Sequence, residues 1–191
     1  MKRELTAGPL VLRKLEATLA PLLLEAATAS CSPAFTQFAP WCQPSYSLAD
    51  SARFIAQSEA DWEQEEAFQF AILDAATGAY CGGIGLNQPN RAHGFYNLGY
   101  WVRPSWQRQG IAALATRELV KAAFTDGPAI HRLELLTLPD NVASQRTALA
   151  AGATCEGLLR QRLRVGAASH DALLFSFIRA DVAKATQPST P

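Results

Sequence analysis

Between Leu98 and Ala113 the chain changes its apolar period across one proline and one glycine, and that change constrains the fold more than any other feature. Leu98 to Arg103 reads as a strand ended by Pro104. From Gly110 the apolar residues fall at helical spacing. Ile111, Ala112, Ala115, Leu119 and Ala122 share one face, and Val120 and Phe124 form a second patch. A helix apolar on two sides belongs inside a domain. Its N-terminus offers unpaired N–H groups and a partial positive charge, which suit a phosphate. Gly110 and Ala112 bring no bulk there, and Arg108 adds a charge. Glycine in such a turn also serves sterics alone, so both readings stand at this point. The G-x-G-x-x-G and G-x-x-x-x-G-K-[ST] signatures are absent, which argues against a Rossmann site and a P-loop.

The flanking segments place this junction in a mixed α/β domain. Leu10–Arg13 reads as a strand and Leu15–Ala29 as a helix. From Ser30 to Ser47, Pro33, Pro40 and Pro44 alternate with Phe35, Phe38, Trp41 and Tyr46, the pattern of an ordered aromatic loop. A second helix, capped by Ser47 or Asp50, runs to Glu66 with Ala52, Ile55, Ala56 and Trp62 inward. Strands follow at Ala67–Asp74, Ala79–Leu86 and Tyr96–Arg103. Gly82, Gly83 and Gly85 mark the middle one as bulged or closely overlain. After the long helix come a doubly apolar strand at Leu133–Leu138, a helix at Asn141–Ala151, and strands at Ala153–Leu163 and Asp171–Ile178. Residues 1–179 are expected to form a single domain and 180–191 a disordered tail. The expected fold class is α/β (α+β mixed), unlike a doubly wound nucleotide fold.

Charge and cysteine usage narrow the partners. Seventeen basic residues balance seventeen acidic ones, so no net field favours nucleic acid or an anionic membrane. No apolar run approaches a spanning helix, and none follows Lys2, Arg3 and Glu4 as in a secretion signal. Cys31, Cys42, Cys81 and Cys155 lack metal-ligand spacing; they read as reduced thiols of a cytoplasmic protein, with no metal expected. His93, His131 and His170 each stand alone and read as surface or turn residues.

The stretch Gln107-Arg108-Gln109-Gly110-Ile111-Ala112, directly after Gly99-Tyr100-Trp101-Val102, resembles the Q/R-x-x-G-x-G/A motif of the GNAT acetyltransferases. The resemblance runs in order from residue 10 to 179 and extends to the RimJ/RimL-like subgroup, ribosomal-protein N-terminal acetyltransferases. It is carried by Leu10–Arg13, Phe38-Ala39-Pro40-Trp41, Gly82 to Leu86, Asn141 with Ser144, and Glu156-Gly157-Leu158-Leu159-Arg160.

That resemblance implies the GNAT fold: a mostly antiparallel, splayed sheet of about seven strands flanked by about four helices. It also implies acetyl transfer from acetyl-CoA to a primary amine by direct attack. In that scheme Trp101, Val102 and Arg103 pair with the pantetheine arm, and the Val102 N–H polarises the thioester carbonyl. The amides of Gln109, Gly110, Ile111, Ala112 and Ala113 hold the diphosphate, with Gln107 and Arg108 beside them. Asn141 touches the cofactor, caps a helix, or does both. Ser144 is either the acid that protonates the departing thiolate or a local cap. No tyrosine follows Asn141, where many relatives carry one. Glu156 is the acid retained nearest the expected base; it is catalytic or holds a sheet edge. Leu163 stands where some RimL-like enzymes carry a glutamate.

Phe38, Trp41 and Tyr100 are the expected acceptor contacts, although the Phe35–Tyr46 loop reads equally as a hydrophobic lid. Arg160, Arg162 and Arg164 attract an acidic peptide or CoA phosphates, or guard an edge strand. The expected acceptor is a protein or peptide N-terminal α-amine, and a homodimer is expected as in many relatives. Two rivals remain at this stage: a small-molecule amine acceptor, and a catalytically silent acyl-CoA-binding module.

Overall fold

Eight strands join in one sheet in the order β1-β2-β3-β4-β5-β6-β8-β7. The computed structural model describes residues 1–36, 39 and 41–185. The strands are β1 (Glu4–Ala7), β2 (Leu10–Lys14), β3 (Phe68–Asp74), β4 (Tyr80–Asn90), β5 (Phe95–Val102), β6 (Arg132–Thr137), β7 (Thr154–Val165) and β8 (Ala168–Ile178). The helices are α1 (Ala20–Ser30), α2 (Pro33–Thr36), α3 (Leu48–Glu63), α4 (Ile111–Thr125), α5 (Val142–Ala150) and α6 (Arg179–Ala185). All strand pairs are antiparallel except β5–β6, which α4 connects as a βαβ unit. The sheet is mixed and mostly antiparallel as expected, with one strand more than the seven expected.

The sheet is covered on both faces. Leu15, Leu19, Leu23 and Ala26 from the first helical region and Ile55 of α3 pack on Ala71, Leu73 and Tyr80. Ile111, Ala115, Leu119, Val120 and Phe124 of α4 join the larger core with Leu12, Ile84, Leu86, Leu98, Leu133 and Phe175. Burying α4 on several sides keeps its N-terminus in a fixed place at the end of β5.

Several expectations need correction. Glu4–Ala7 forms an edge strand that short length and one polar face hide in the sequence. Ala52 and Ala56 are exposed; the buried stripe of α3 is Ser51, Ile55, Ser58 and Trp62. The spacing of that stripe is helical, but it runs through two serines rather than two alanines. Ser58 satisfies its hydroxyl on the Phe54 carbonyl at 2.8 Å. Ser47 caps α3 and Asp50 answers it in a capping box. The part of the expected tail from Ala180 to Ala185 continues α6; residues 186–191 lie outside the described residues.

Candidate active site

The βαβ unit opens a gap in the sheet. β5 and β6 pair only where Phe95–Asn97 meet Arg132–Glu134. Beyond Asn97 the two strands diverge. The Arg103 N–H donates to the Cys81 carbonyl at 2.8 Å. Because main-chain groups alternate along an antiparallel pair, Trp101 and Arg103 turn theirs toward β4, while Tyr100 and Val102 turn theirs toward the gap. Of the three residues expected along the pantetheine arm, Val102 alone faces the gap, and Tyr100 joins it there. The Val102 carbonyl accepts from Gln107 Nε2 at 3.0 Å. A cavity of about 290 Å³ fills the gap, bounded by Tyr100, Thr137, Leu138, Asn141, Ser144 and Leu163.

Where the gap ends, α4 begins. Gly110 holds a left-handed φ of +77°, and a Cβ placed there meets nothing within 4 Å. The space outside the first turn is therefore open, and no side chain caps it. Leu114 is the first residue to close a helical bond, donating to the Gly110 carbonyl at 3.0 Å. The N–H groups of Ile111, Ala112 and Ala113 lie in the helix's first turn, whose donors have no partner within a helix. Arg108 is exposed beside them, and Gln109 Nε2 binds the Ser105 carbonyl at 3.2 Å, bracing the turn. An uncapped, unobstructed amide cradle fits a diphosphate.

On the far wall of the gap, Asn141 caps α5, its Oδ1 accepting from the Ser144 N–H at 3.1 Å. Ser144 is therefore not itself the cap. The Tyr100 hydroxyl lies 3.0 Å from Ser144 Oγ and donates to the Ser144 carbonyl at 3.1 Å. Burial pushes the Tyr100 hydroxyl above its ordinary pKa, so it stays protonated. Tyr100, expected at the acceptor, reaches Ser144 from the neighbouring strand and also borders a second cavity on the other face of β5.

This second cavity is the larger, about 900 Å³. Its walls are Phe35, Trp41 and Tyr46 from the loop, Phe54 and Gln57 from α3, and Trp101 from β5. Trp41 stands 5.6 Å from Trp101 and 6.0 Å from Phe35, ring centre to ring centre. Tyr80 stacks on Trp101 at 6.0 Å. A Cβ at Gly83 would come within 2.6 Å of Trp101 Nε1, so the indole can lie flat only because that residue is glycine. Phe38 lies outside the described residues.

Cys31 and Cys42, read as reduced thiols, form a disulfide across the loop, Cα to Cα 5.4 Å. An 11-residue separation says nothing about proximity until the loop folds back onto α1. The loop bearing Phe35 and Trp41 is thereby closed on itself.

Glu156 sits apart from both cavities. Its carboxylate takes a bidentate pair from Arg132 at 2.7 and 2.6 Å and the Ser176 hydroxyl at 2.5 Å. The Arg132 guanidinium and then the Ser176 hydroxyl pull its pKa down to about 2. Arg132 lies opposite Phe95, at the start of β5, whereas Val102 ends it. A carboxylate so saturated, at the opposite end of the strand, has no basicity or reach for the amine. Arg160, Arg162 and Arg164 do not form one regular row. A bulge between Leu159 and Leu163, with Gln161 at φ +50°, breaks the alternation that would align Arg160, Arg162 and Arg164. Arg164 borders the gap. None of His93, His131 and His170 lines either cavity, and among the described residues no cluster of three or more His, Cys, Asp or Glu could hold a metal. Among them, too, no helix is long and apolar enough to cross a membrane.

Residues 9–154 match the family described as acetyltransferase (GNAT) domain. The chain is 26% identical over 137 residues to the probable N-acetyltransferase YjcK of Bacillus subtilis (strain 168), spanning 71% of this chain and 75% of that one. Its fold is similar to that of a Salmonella typhimurium acetyl transferase that modifies the N-terminal serine of ribosomal protein L7/L12. The TM-score is 0.75 at 20% identity, over 92% of this chain and 98% of that one. The structure of RimL, a ribosomal L7/L12 alpha-N-protein acetyltransferase in complex with coenzyme A, aligns with a TM-score of 0.80 at 21% identity, over 94% and 99%.

Proposed function

The chain belongs to the GNAT acetyltransferase family, and from that premise we propose that it is an acetyl-CoA-dependent N-acetyltransferase whose acceptor is a protein or peptide N-terminal α-amine. The carrying observation is the adjacency of two open main-chain surfaces: the gap edge of β5 at Tyr100 and Val102, and the uncapped amides of α4. Acetyl-CoA supplies the activated acetyl thioester. The amides of Gly110 to Ala113, with Arg108, bind its diphosphate. The Val102 N–H, fixed by the sheet, points into the gap as a donor for a carbonyl oxygen and needs no reorganisation when negative charge develops there.

Proton traffic falls to the opposite wall. Ser144 holds the proton destined for the departing sulfur, and the Tyr100 hydroxyl, 3.0 Å away, braces Ser144. Glu156 has no part in this scheme; it ties β7 to β6 and β8. Acceptor amines enter from the face of β5 that carries Trp101, opposite α4. We also keep a homodimer, which size-exclusion chromatography with light scattering tests, and a cytoplasmic location, where the Cys31–Cys42 bond would have to persist against cellular reductants.

The decisive experiment pairs calorimetry with product analysis. Micromolar CoA binding, together with acetylation of a peptide α-amine seen by mass spectrometry, is the expected result. CoA binding without acetylation of any amine would leave a silent CoA-binding module instead.

A further inference from the structure

The acceptor cavity is unusual in what its charged groups do. Among the described residues lining it, the charged side chains are Asp50 and Arg53 of α3, and they pair with each other. Asp50 also accepts from Ser47 N at 2.9 Å and Ser47 Oγ at 2.6 Å, so both its oxygens are engaged. Hydrogen bonds from Ser47 are the main cause holding its carboxyl below the usual carboxylate range. Nearby, Glu25 of α1 is bound by Arg103 at 2.8 Å and does not line the cavity. The titratable groups that remain are Tyr46, Tyr80 and Tyr100, each kept neutral by burial.

The floor has the opposite character. Gly83, overlain by the Trp101 indole, and Gly99, where a Cβ would meet nothing nearer than 3.9 Å, form it on β4 and β5. A Cβ at Gly85 would lie 2.2 Å from Gln69 Oε1, so the Gln69 amide rests across that glycine. Asn87, held by Asn97 at 2.9 Å, faces the same floor. The neutral side-chain amides of Gln69 and Asn87 offer both donors and acceptors to a peptide unit. Trp101, one residue from the Val102 amide, fixes what stands beside the reacting nitrogen: an aromatic wall continued by Trp41 and Phe35.

We infer that this cavity selects α-amines of an apolar or aromatic first residue whose carboxyl is already an amide, and relies on the acceptor's own basicity because no enzyme carboxylate is placed to deprotonate it. A free amino acid would bury its carboxylate beside the amine with no unpaired cation to receive it, which is costly. An α-amine with a pKa near ~8 supplies neutral nucleophile at neutral pH, whereas a lysine-type amine near ~10.4 supplies very little. This inference rests on the acetyl-transfer reading and refines its acceptor.

The test measures kcat/KM for a Phe-Gly-Gly amide, a Gly-Gly-Gly amide, an Asp-Gly-Gly amide, free phenylalanine and spermidine across pH 6–10. The expected order puts the Phe-first amide at least tenfold above every other acceptor, with an acidic limb that moves with each acceptor's amine pKa. Trp41→Ala, a change at an exposed loop residue, should remove most of the preference for Phe over Gly while leaving CoA binding unchanged. Equal rates for phenylalanine and its amide, or for Asp-first and Phe-first peptides, would overturn the acceptor class and leave acetyl transfer standing. A limb fixed at one pH for all acceptors, and displaced in Glu25→Gln, would overturn the base-free route. Bound CoA with no amine acetylated would remove the transfer reading itself, and this inference with it.

Discussion

The two cavities flanking β5 are made from different material. The gap side of β5 presents main-chain donors at the open edge of Val102 and in the first turn of α4, beside the side chains of Tyr100, Asn141 and Ser144. The acceptor cavity is bounded by side chains that arrive from the loop, α3 and β5, on a loop closed by Cys31–Cys42. A main-chain site depends on where strands part and helices start, so side-chain changes perturb it only by intruding. A side-chain site changes with each residue that lines it. On the proposed reading, cofactor grip is the constant of this architecture, and acceptor choice its variable.

That contrast can be broken most forcefully at α4. Ala112→Glu places a carboxylate in the first helical turn, where it favours the helix itself, but sets negative charge in the diphosphate cradle. CoA affinity should fall at least a hundredfold by calorimetry, about 2.7 kcal/mol, with the thermal midpoint of the apo protein unchanged or raised. Unaltered CoA binding would show that the cradle lies elsewhere.

A smaller effect is expected on the far wall of the gap. Tyr100→Phe and Ser144→Ala should each lower kcat about tenfold to a hundredfold, the range of a lost proton donor, while CoA binding holds. Because the two hydroxyls act as a unit, the double variant should be little worse than Ser144→Ala alone. Additive losses would separate their roles.

The loop offers a test that should leave the gap untouched. Paired replacement of Cys31 and Cys42 by serine removes a covalent closure worth about 3 kcal/mol in the chain-entropy picture. The acceptor KM should rise severalfold and CoA affinity should not move. A parallel loss of CoA binding would mean that the two cavities are not independent.

Glu156→Gln should have the least effect on catalysis, within about twofold in kcat, which is inside the range of surface substitutions. Its signature is acid stability. The wild-type carboxyl titrates near 2 when folded, below its ordinary 4.5, so its contribution is complete above the latter value. That contribution fades as pH falls between the two. The variant's unfolding midpoint should lack this part of the pH dependence, read by circular dichroism from pH 5 to 2.

Much of the fold was legible because its signals are local. The period change at Pro104 and Gly110 located β5 and α4, and the glycines of β4 announced the close overlay by Trp101 and Gln69. Boundaries of the long elements agree to within a few residues. The stripe of α3 was misread because small alanines look apolar in sequence, yet burial went to serines with a carbonyl or a neighbouring hydroxyl to satisfy them. At the site, the sequence showed the junction that carries Val102 and Gly110, but not that Tyr100, which borders the larger cavity, also reaches Ser144. It also left Glu156 in the catalytic set, because its partner Arg132 is 24 residues away and only the sheet order makes them neighbours.

What the sequence by itself determined is the strand–turn–helix junction and the exposed amides that follow from it. Those depend on residues within one helical turn of each other, and on the physics of chain stereochemistry alone. The tertiary structure decided which side chains meet: Tyr100 with Ser144 across 44 residues, Cys31 with Cys42, Trp41 with Trp101, and Asp50 with its own helix cap rather than a substrate. Such meetings are set by strand order and by how helices and loop pack on the sheet, and those are properties of the whole core.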